Sequence, residues 1–310
     1  MSDVIQDAIV RAESVIAAAM NTVKEPLVEH AAEINTVYNL LCDEASRTQY
    51  YKELSFLLIR PINLDYAVAA GPYRLQDMKA AQDRWNEMSR RPDSKLPKTM
   101  HCGAMETIYL VNMLLTTFIN EQYKYAPHVM VESGDIFIDC GACFGDTSLW
   151  AYQEGAKEVY SFEPSPDNFL SLKINMEQFG YDPNRCFPYA VGDKDEDLHF
   201  AAAPGMAGSC NVNANGNVVV HSVKLDDFLK ERNIKPTFLK FDIEGAEMGA
   251  LRGLRETITT FKPKLAVSLY HKLSDMWEVP LLIKEMVPEY KFYCRKNHIK
   301  NEFILYAAVE

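Results

Sequence analysis

The chain has 310 residues and a formal net charge of −11, with 48% hydrophobic and 24% charged residues. This length allows one α/β domain of roughly 180–200 residues and a second region, and the composition is typical of a globular protein. The acidic balance argues against a nucleic-acid partner, whose phosphates require clustered Lys and Arg. No run of residues reaches the ~18 apolar positions of a membrane span, so we expect no membrane partner either.

The N-terminal segment predicts an amphipathic helix rather than a signal peptide. It carries Asp3, Asp7 and Glu13 where a signal peptide would be basic. The seven cysteines are odd in number and scattered, which is not the pattern of a disulfide framework. Both observations favour a cytoplasmic protein.

The first third of the chain has helical patterns and no convincing strand. Apolar residues recur at helical spacing over Leu27–Leu41 and Glu44–Leu58, whereas the polar stretch Asn86–Lys98, with two prolines, predicts an exposed loop. We therefore expect a helical N-terminal region, residues 1–122, and a second domain, residues 123–310.

Seven short apolar runs in the second domain predict β-strands, and helical segments separate the early ones. These strands are Ile136–Cys140, Val159–Glu163, Cys186–Ala190, Phe238–Asp242, Leu265–Tyr270, Lys291–Cys294 and Phe303–Ala308. Alternation with helices indicates an α/β fold with a parallel sheet. The last two strands lack a helix between them, which predicts a hairpin and an antiparallel pair at one edge. The Gly/Asn/Ala-rich stretch between Phe200 and Val220 predicts a loop or a β-hairpin insertion.

The segment Asp135–Glu163 is the most informative, because it reads strand, glycine-containing turn, helix, strand, acidic residue. Gly141 and Gly145 allow a sharp turn and a close approach to a ligand. Glu163 lies 24 residues after Asp139, about where a doubly wound fold places the carboxylate that binds a ribose diol. The pattern predicts an adenosine-bearing ligand.

The spacing of the glycines helps to decide which ligand this is. A dinucleotide fold favours G-x-G-x-x-G because the pyrophosphate lies against bare backbone, whereas this chain has Asp139-x-Gly141-x-x-x-Gly145 and no G-K-[ST]. An acid beside the turn would repel a pyrophosphate but suits the amino group of a methionine moiety. The spacing favours S-adenosylmethionine over NAD; another nucleotide or an ordinary βα turn stays open.

The pair Cys140 and Cys143 matches C-x-x-C, a spacing found in redox and zinc sites. A structural zinc site would need a second such pair or a pair of histidines, and the sequence has neither at a suitable distance. We interpret the two cysteines as small side chains packed around the turn.

A second block, Phe238–Glu247, ends a strand with a dense set of charges. Ligands of open α/β sheets bind beyond the carboxyl ends of the strands, so Asp242 should lie near the mouth of the same site as Asp139. Glu247 is explained by the preference for acids in the first turn of a helix.

These blocks, taken in order, make the chain resemble the FkbM family of S-adenosylmethionine-dependent methyltransferases. The resemblance covers about residues 136–305 and rests on Asp139–Thr147, Phe162–Pro164, Leu225–Phe228, Lys240–Glu247, Leu251, Gly253 and Ser268–His271. It implies a class I methyltransferase fold: a Rossmann-like, seven-stranded, mostly parallel sheet with an antiparallel terminal strand, preceded by the helical N-terminal region.

The resemblance also implies the cofactor, S-adenosyl-L-methionine, and the residues that bind it. Asp139 and the glycine turn would hold the methionine end, Glu163 the ribose, and the turn after the third strand the adenine. The predicted cofactor-binding residues are Asp139, Gly141, Ala142, Cys143, Gly145, Asp146, Thr147, Glu163, Pro164, Val191 and Asp193. Asp193 begins a charged run whose ordinary interpretation is a solvated turn.

The predicted catalytic residues are His271, Asp242 and Glu244. His271 ends the fifth strand and titrates near neutrality, so it is our first candidate for the base that removes the acceptor's proton; a structural hydrogen bond is the alternative. Asp242 is an alternative base or orients the acceptor, and Glu244 shares that ambiguity. The three side chains could also coordinate a divalent metal, but we favour a reaction without one.

The leading hypothesis is an O-methyltransferase that acts on a hydroxyl of a small molecule or glycan. The alternatives are an NAD(P)-dependent oxidoreductase on a similar sheet and a non-catalytic binding or scaffold protein. The N-terminal region is expected to cover the donor pocket or to mediate self-association into a homo-oligomer.

Overall fold

The structure is a computed structural model that describes residues 3–103, 107–201, 211–212 and 216–309. Within these residues, helices and one π-helical turn, Leu115–Ile119, precede the first strand of the sheet. The helices are α1 (Asp3–Glu29), α2 (Ala31–Leu40), α3 (Glu44–Ile59), α4 (Leu64–Ala70), α5 (Leu75–Ser89) and α6 (Thr107–Leu114). The predicted loop over Asn86–Lys98 therefore begins later, because α5 continues to Ser89.

Side-chain caps fix where two of these helices begin. The Asp43 carboxylate accepts a hydrogen bond from the Ser46 backbone N–H at the start of α3, at 2.6 Å, and the Asn63 side chain caps α4 in the same way. In the part of the chain that the structure describes, none of the helices has the length and apolar character needed to cross a membrane.

The strands form two sheets. In chain order they are β1 (Ile136–Cys140), β2 (Glu158–Phe162), β3 (Cys186–Phe187), β4 (Tyr189–Gly192), β5 (Glu196–Ala201), β6 (Asn211–Val212), β7 (Val218–Lys224), β8 (Phe238–Phe241), β9 (Lys264–Ser268), β10 (Lys291–Lys296) and β11 (Phe303–Ala308). The larger sheet has seven strands in the order β10-β11-β9-β8-β1-β2-β3. Its pairs are parallel except that β11 runs antiparallel to both β9 and β10. The predicted fold class is confirmed.

The third predicted strand, Cys186–Ala190, is divided between the two sheets. Pro188 separates β3 from β4, and a proline cannot donate a backbone hydrogen bond to a neighbouring strand. The smaller sheet has the order β4-β7-β5-β6. Its β5 and β7 pair antiparallel, which agrees with a hairpin-like insertion between Phe200 and Val220, of which residues 202–210 and 213–215 lie outside the described residues.

Helices of the second half cover both faces of the larger sheet. They are α7 (Asp146–Glu154), α8 (Pro166–Gln178), α9 (Leu225–Glu231), α10 (Glu247–Gly253), α11 (Arg255–Phe261) and α12 (Asp275–Met286). Successive strand residues enter different apolar clusters: Phe137 packs in one and Ile138 in the other. Burial on both faces explains why these strands are recognisable as continuous apolar runs.

The N-terminal helices pack on this sheet. The Tyr50 hydroxyl of α3 donates to the Met276 carbonyl at 2.8 Å, and Leu41 forms an isolated parallel bridge with Phe292 of β10. A buried ion pair joins Glu53 of α3 to Lys296 of β10 at 2.7 Å. The predicted division between residues 122 and 123 thus separates two parts of the chain that share one core.

Candidate active site

A cavity of about 760 Å³ lies beyond the carboxyl ends of β1, β2 and β8. Its size is within the range of roughly 300–1,000 Å³ that small-molecule sites occupy. The predicted residues in its wall are Gly141, Cys143, Asp146, Thr147, Glu163, Pro164, Val191, Asp193, Asp242, Glu244 and His271. The N-terminal region also contributes to the wall, through Arg60, Met113 and Thr116.

Asp139, Ala142 and Gly145 do not line the cavity. Asp139 is fully buried beneath it, where its Oδ1 lies 3.0 Å from Lys240 Nζ and its Oδ2 accepts a hydrogen bond from the Ser148 hydroxyl at 2.6 Å. Asp139 therefore has no direct contact with the cavity. It acts there through its ion pair with Lys240, which does line the cavity.

The two glycines of the turn are needed for packing against the protein itself. A Cβ on Gly141, whose φ is +84°, would lie 1.9 Å from the Asp242 carbonyl oxygen, and one on Gly145 would lie 2.8 Å from Leu172 Cδ1. Gly141 cannot carry a side chain because its backbone packs directly against the turn that follows β8. This contact fixes the turn after β1 and the turn after β8 relative to each other.

Lys240 is a site residue that we did not predict. It is 2% exposed and donates a hydrogen bond to the Gly141 carbonyl at 2.8 Å. Burial alone would lower the pKa of Lys240, but the carboxylates of Asp139 and Asp242 raise it above the ordinary value. A charged residue in the otherwise apolar strand β8 was the signal in the sequence.

Glu163, which we predicted to bind the ribose, lines the cavity directly after β2. Its Oε2 accepts a hydrogen bond from the Cys143 backbone N–H at 2.9 Å, and its Oε1 accepts one from the Ser165 N–H at 2.8 Å. Burial raises the pKa of Glu163 to about 7. Oε1 also accepts a hydrogen bond from the Asn168 side-chain amide at 3.4 Å, so Oε2 is the oxygen that keeps a further lone pair for a ligand hydroxyl.

The start of α7 places Asp146 and Thr147 in the cavity wall. Gly145 occupies the cap position with a left-handed conformation, and no side chain caps the helix. Asp146 instead accepts a hydrogen bond from the Thr117 hydroxyl at 2.6 Å. Burial raises the pKa of Asp146 to about 6.

Asp242, Glu244 and His271 come together at the same cavity. His271 Nε2 lies 3.2 Å from Asp242 Oδ1 and 3.7 Å from Glu244 Oε2. His271 follows β9 in a loop rather than ending the strand, because β9 ends at Ser268. Its Nδ1 lies 2.8 Å from Glu247 Oε1.

Two tyrosine hydroxyls hold the Asp242 carboxylate. Tyr123 donates to Oδ2 at 2.7 Å and Tyr270 donates to Oδ1 at 2.9 Å. Burial would raise the pKa of Asp242, but His271, Lys240 and Tyr123 hold it well below its usual range. Burial likewise would lower the pKa of His271, whereas the Asp242 and Glu247 carboxylates raise it well above the ordinary value.

Two glutamates at this site, Glu244 of the cluster and the neighbouring Glu302, have raised pKa values. Glu244 is partly exposed and has a φ of +55°, and burial raises its pKa to about 7. Glu302, which we did not predict, also lines the cavity. Burial and the negative charge of Asp242 raise the pKa of Glu302 to about 8. Glu302 lies in the loop between β10 and β11, so no pattern of residues at the end of a predicted strand indicated it.

The cavity wall contains carboxylates that suit an adenosine bearing a cationic group. They belong to Asp146, Glu163 and Asp242. The same carboxylates can accept hydrogen bonds from ribose hydroxyls and from an ammonium group.

Comparisons with known proteins identify similar methyltransferases. The Methyltransferase FkbM domain matches residues 139–293, which is half of the chain. Hexuronic acid methyltransferase AglP of Haloferax volcanii is 26% identical over 131 residues, which cover 41% of this chain and 53% of that protein. Methyltransferase 1 of Beauveria bassiana is 28% identical over 192 residues, covering 54% of this chain and 76% of that protein.

A solved structure supports the fold. The crystal structure of Methyltransferase FkbM from Methylobacillus flagellatus superposes with a TM-score of 0.58 at 20% identity and covers 91% of this chain. The chain spans about half the length of AglP and 60% of the Methylobacillus chain. The domain match and the fold together show that the chain belongs to the FkbM family of methyltransferases.

Proposed function

We propose that the protein transfers a methyl group from S-adenosyl-L-methionine to a hydroxyl of a small molecule or glycan. The observation that carries this proposal is a single cavity that joins Glu163 to the cluster of Asp242, Glu244 and His271. A donor and an acceptor can therefore lie side by side in one cavity, and proximity of this kind is the main requirement of a methyl transfer.

The donor end would bind the ribose and the methionine moiety. S-adenosyl-L-methionine supplies an electrophilic methyl group on a sulfonium. Glu163 is oriented by two backbone N–H groups and would accept hydrogen bonds from the ribose hydroxyls. The turn at Gly141 and Cys143 would hold the methionine end, while Val191 and Asp193 would lie beside the adenine.

Asp242, Glu244 and His271 would hold the acceptor hydroxyl and assist the loss of its proton. The two tyrosine hydroxyls that bind Asp242 restrict its rotation, so the cluster is already oriented before a ligand arrives. Such preorganisation reduces the free energy needed to align the acceptor oxygen with the methyl carbon.

Sugar acids are the first acceptors to test, because AglP, a relative, is a hexuronic acid methyltransferase. The cavity wall also includes Arg60, Arg252 and Lys272. Their positive charges suit a carboxylate on the acceptor.

Calorimetry with the purified chain tests the donor. We expect saturable binding of S-adenosyl-L-methionine and no binding of NAD(H). Binding of NAD(H) alone would favour the oxidoreductase alternative and overturn the proposal.

Transfer of a labelled methyl group to a panel of hexuronic acids and neutral glycans tests the reaction. We expect a methyl ether on one of them. Donor binding without transfer to any acceptor of the panel would favour a non-catalytic binding protein.

A further inference from the structure

We propose that Asp242, Glu244 and His271 form the binding site of one divalent cation, such as Mn²⁺ or Mg²⁺, that holds the acceptor oxygen. The binding site stands on the geometry alone, whereas its use in catalysis rests on the proposed function. The sequence led us to favour a reaction without a metal, and three structural observations change that view.

The first observation is a buried ring nitrogen that has no partner. The His271 side chain is 6% exposed, and its Nε2 points at two carboxylates without hydrogen-bond geometry to either. A neutral imidazole nitrogen enclosed in this position needs either a donor or a cation. A cation is the one ligand that the imidazole and both carboxylates can share.

The second observation is the spacing of the candidate ligand atoms. One atom from each of Asp242, Glu244 and His271 lies within 4.8 Å of the other two, and the two distances from Nε2 are 3.2 and 3.7 Å. A six-coordinate cation with bonds of about 2.1 Å separates neighbouring ligands by about 3.0 Å and opposite ones by about 4.2 Å. Both distances from Nε2 lie between these two values, so one cation can bind all three side chains and keep other positions for the acceptor and water.

The third observation is the partner of the other ring nitrogen. Glu247, which is fully buried, places Oε1 at 2.8 Å from His271 Nδ1, and the same oxygen accepts the Ile243 backbone N–H at 3.0 Å. A proton on Nδ1 that is donated to Glu247 leaves the lone pair on Nε2. Metal-binding histidines usually have such a carboxylate behind them, because it orients the ring and fixes the tautomer.

Charge in the cluster also favours a cation. Asp242, Glu244 and Glu247 surround a single imidazole, while Lys240, on the neighbouring side, is paired with Asp139. Two positive charges at the centre of this group would offset the repulsion among the carboxylates.

The cation gives the cluster a defined part in the reaction. Coordination of the acceptor hydroxyl weakens its O–H bond, and the proton passes to water. A lone pair of that oxygen then forms the bond to the methyl carbon, while the carbon–sulfur bond breaks and leaves its electron pair on sulfur. Because the Nε2 lone pair binds the cation, this role replaces the one that we first expected for His271 as the base.

Electron paramagnetic resonance of Mn²⁺ tests the site without any acceptor. Free Mn²⁺ gives a sharp spectrum, and we expect the purified chain to broaden it with saturation at one ion per chain. Glu244→Gln should weaken Mn²⁺ binding at least about tenfold, because it removes a charged ligand but, among the described residues, breaks no hydrogen bond of that side chain. Glu177→Gln, an exposed position on α8, should leave it unchanged.

Glu247→Gln tests whether Glu247 orients the His271 ring for the cation, as distinct from a general defect in folding. We expect Mn²⁺ affinity to fall by about 10–100-fold while the affinity for S-adenosyl-L-methionine stays the same. An unchanged Mn²⁺ spectrum at excess protein, or equal Mn²⁺ binding by Glu244→Gln, would overturn the cation site.

Titration of the donor into the Mn²⁺-loaded chain distinguishes this inference from the proposed function. Donor binding that leaves Mn²⁺ bound supports both. Donor binding that releases Mn²⁺ would mean that the cluster holds the methionine amino group, and would overturn the catalytic role of the cation. Mn²⁺ binding without donor binding would support the site and overturn the proposed function.

Discussion

At the scale of single residues, the burial of Glu163 determines how donor binding should depend on pH. Its folded-state pKa, about 7, lies above the ordinary 4.5. The protonated carboxyl therefore contributes stability that is complete below about pH 4.5 and is lost as the pH rises through about 7. The ionised form, which prevails above that pH, is the better acceptor for ribose hydroxyls.

We therefore predict that affinity for S-adenosyl-L-methionine rises between about pH 6 and about pH 8. Glu163→Gln should lower the affinity at about pH 8 by about tenfold or more, because hydrogen bonds to a charged group contribute about 1.5–3 kcal/mol. It should also flatten the pH profile relative to the unaltered chain. Calorimetry measures both, and an equally steep profile in the variant would contradict the assignment.

The second prediction for a single residue concerns the effect of Gly141 on stability. An alanine there would bring Cβ to 1.9 Å from the Asp242 carbonyl oxygen at a φ of +84°, so Gly141→Ala should lower stability by about 3 kcal/mol or more. Gly249→Ala is the control, since nothing lies within 4 Å of its Cβ position on α10. Thermal unfolding should show a lower Tm for the first variant only; equal Tm values would be inconsistent with the contact.

At the scale of elements, the pair Asp139–Lys240 joins the neighbouring strands β1 and β8 beneath the cavity. Lys240→Met should cost about 3–5 kcal/mol, because it leaves a buried carboxylate without its partner. Replacing both, as Asp139→Asn with Lys240→Met, should recover part of that loss. Urea unfolding measures the difference.

The matched control is an exposed pair with a similar distance. Lys262 and Glu289 lie 2.7 Å apart with side chains 39% and 54% exposed. Lys262→Met should change stability by about 1 kcal/mol or less. Similar losses from the two lysine substitutions would argue against a special role for the buried pair.

The elements also show what the sequence can and cannot reveal. The strands β1 and β8 were predictable because both their faces are buried, which gives continuous apolar runs. The meeting of Asp242 and His271 followed from the common edge at which parallel strands end. The burial of Asp139 was not predictable, because it depends on the pairing of β1 with β8, whose residues lie about a hundred positions apart.

At the scale of the whole molecule, the N-terminal helices and the sheet share a core. Ile34, Val37 and Tyr50 pack in the same apolar cluster as Ile138 and Leu239. The composition of the sequence indicated two regions, but packing between residues so distant leaves no local pattern. The division at residues 122 and 123 therefore describes the order of elements and not how they pack.

Removal of residues 1–122 should abolish cooperative unfolding of the remaining chain, because it exposes the apolar face on which α2 and α3 pack. Removal of residues 1–20 should preserve it, since the described side chains of that stretch are largely exposed. Circular dichroism during heating distinguishes the two truncations. A sharp unfolding transition in the chain that lacks residues 1–122 would contradict the prediction, because it would show that the sheet folds without the N-terminal helices.

The contact between α3 and β10 has a consequence for synthesis. Glu53 and Lys296 are 243 positions apart, and at roughly 5–20 residues per second a ribosome needs on the order of 10–50 s to make the intervening chain. During that interval the apolar face of the helices has no partner to cover it. The strand β10 can join the sheet only after β11 has been made, because β11 lies between β10 and β9. The yield of folded protein in a cell should therefore depend on the chaperones that hold these helices during translation.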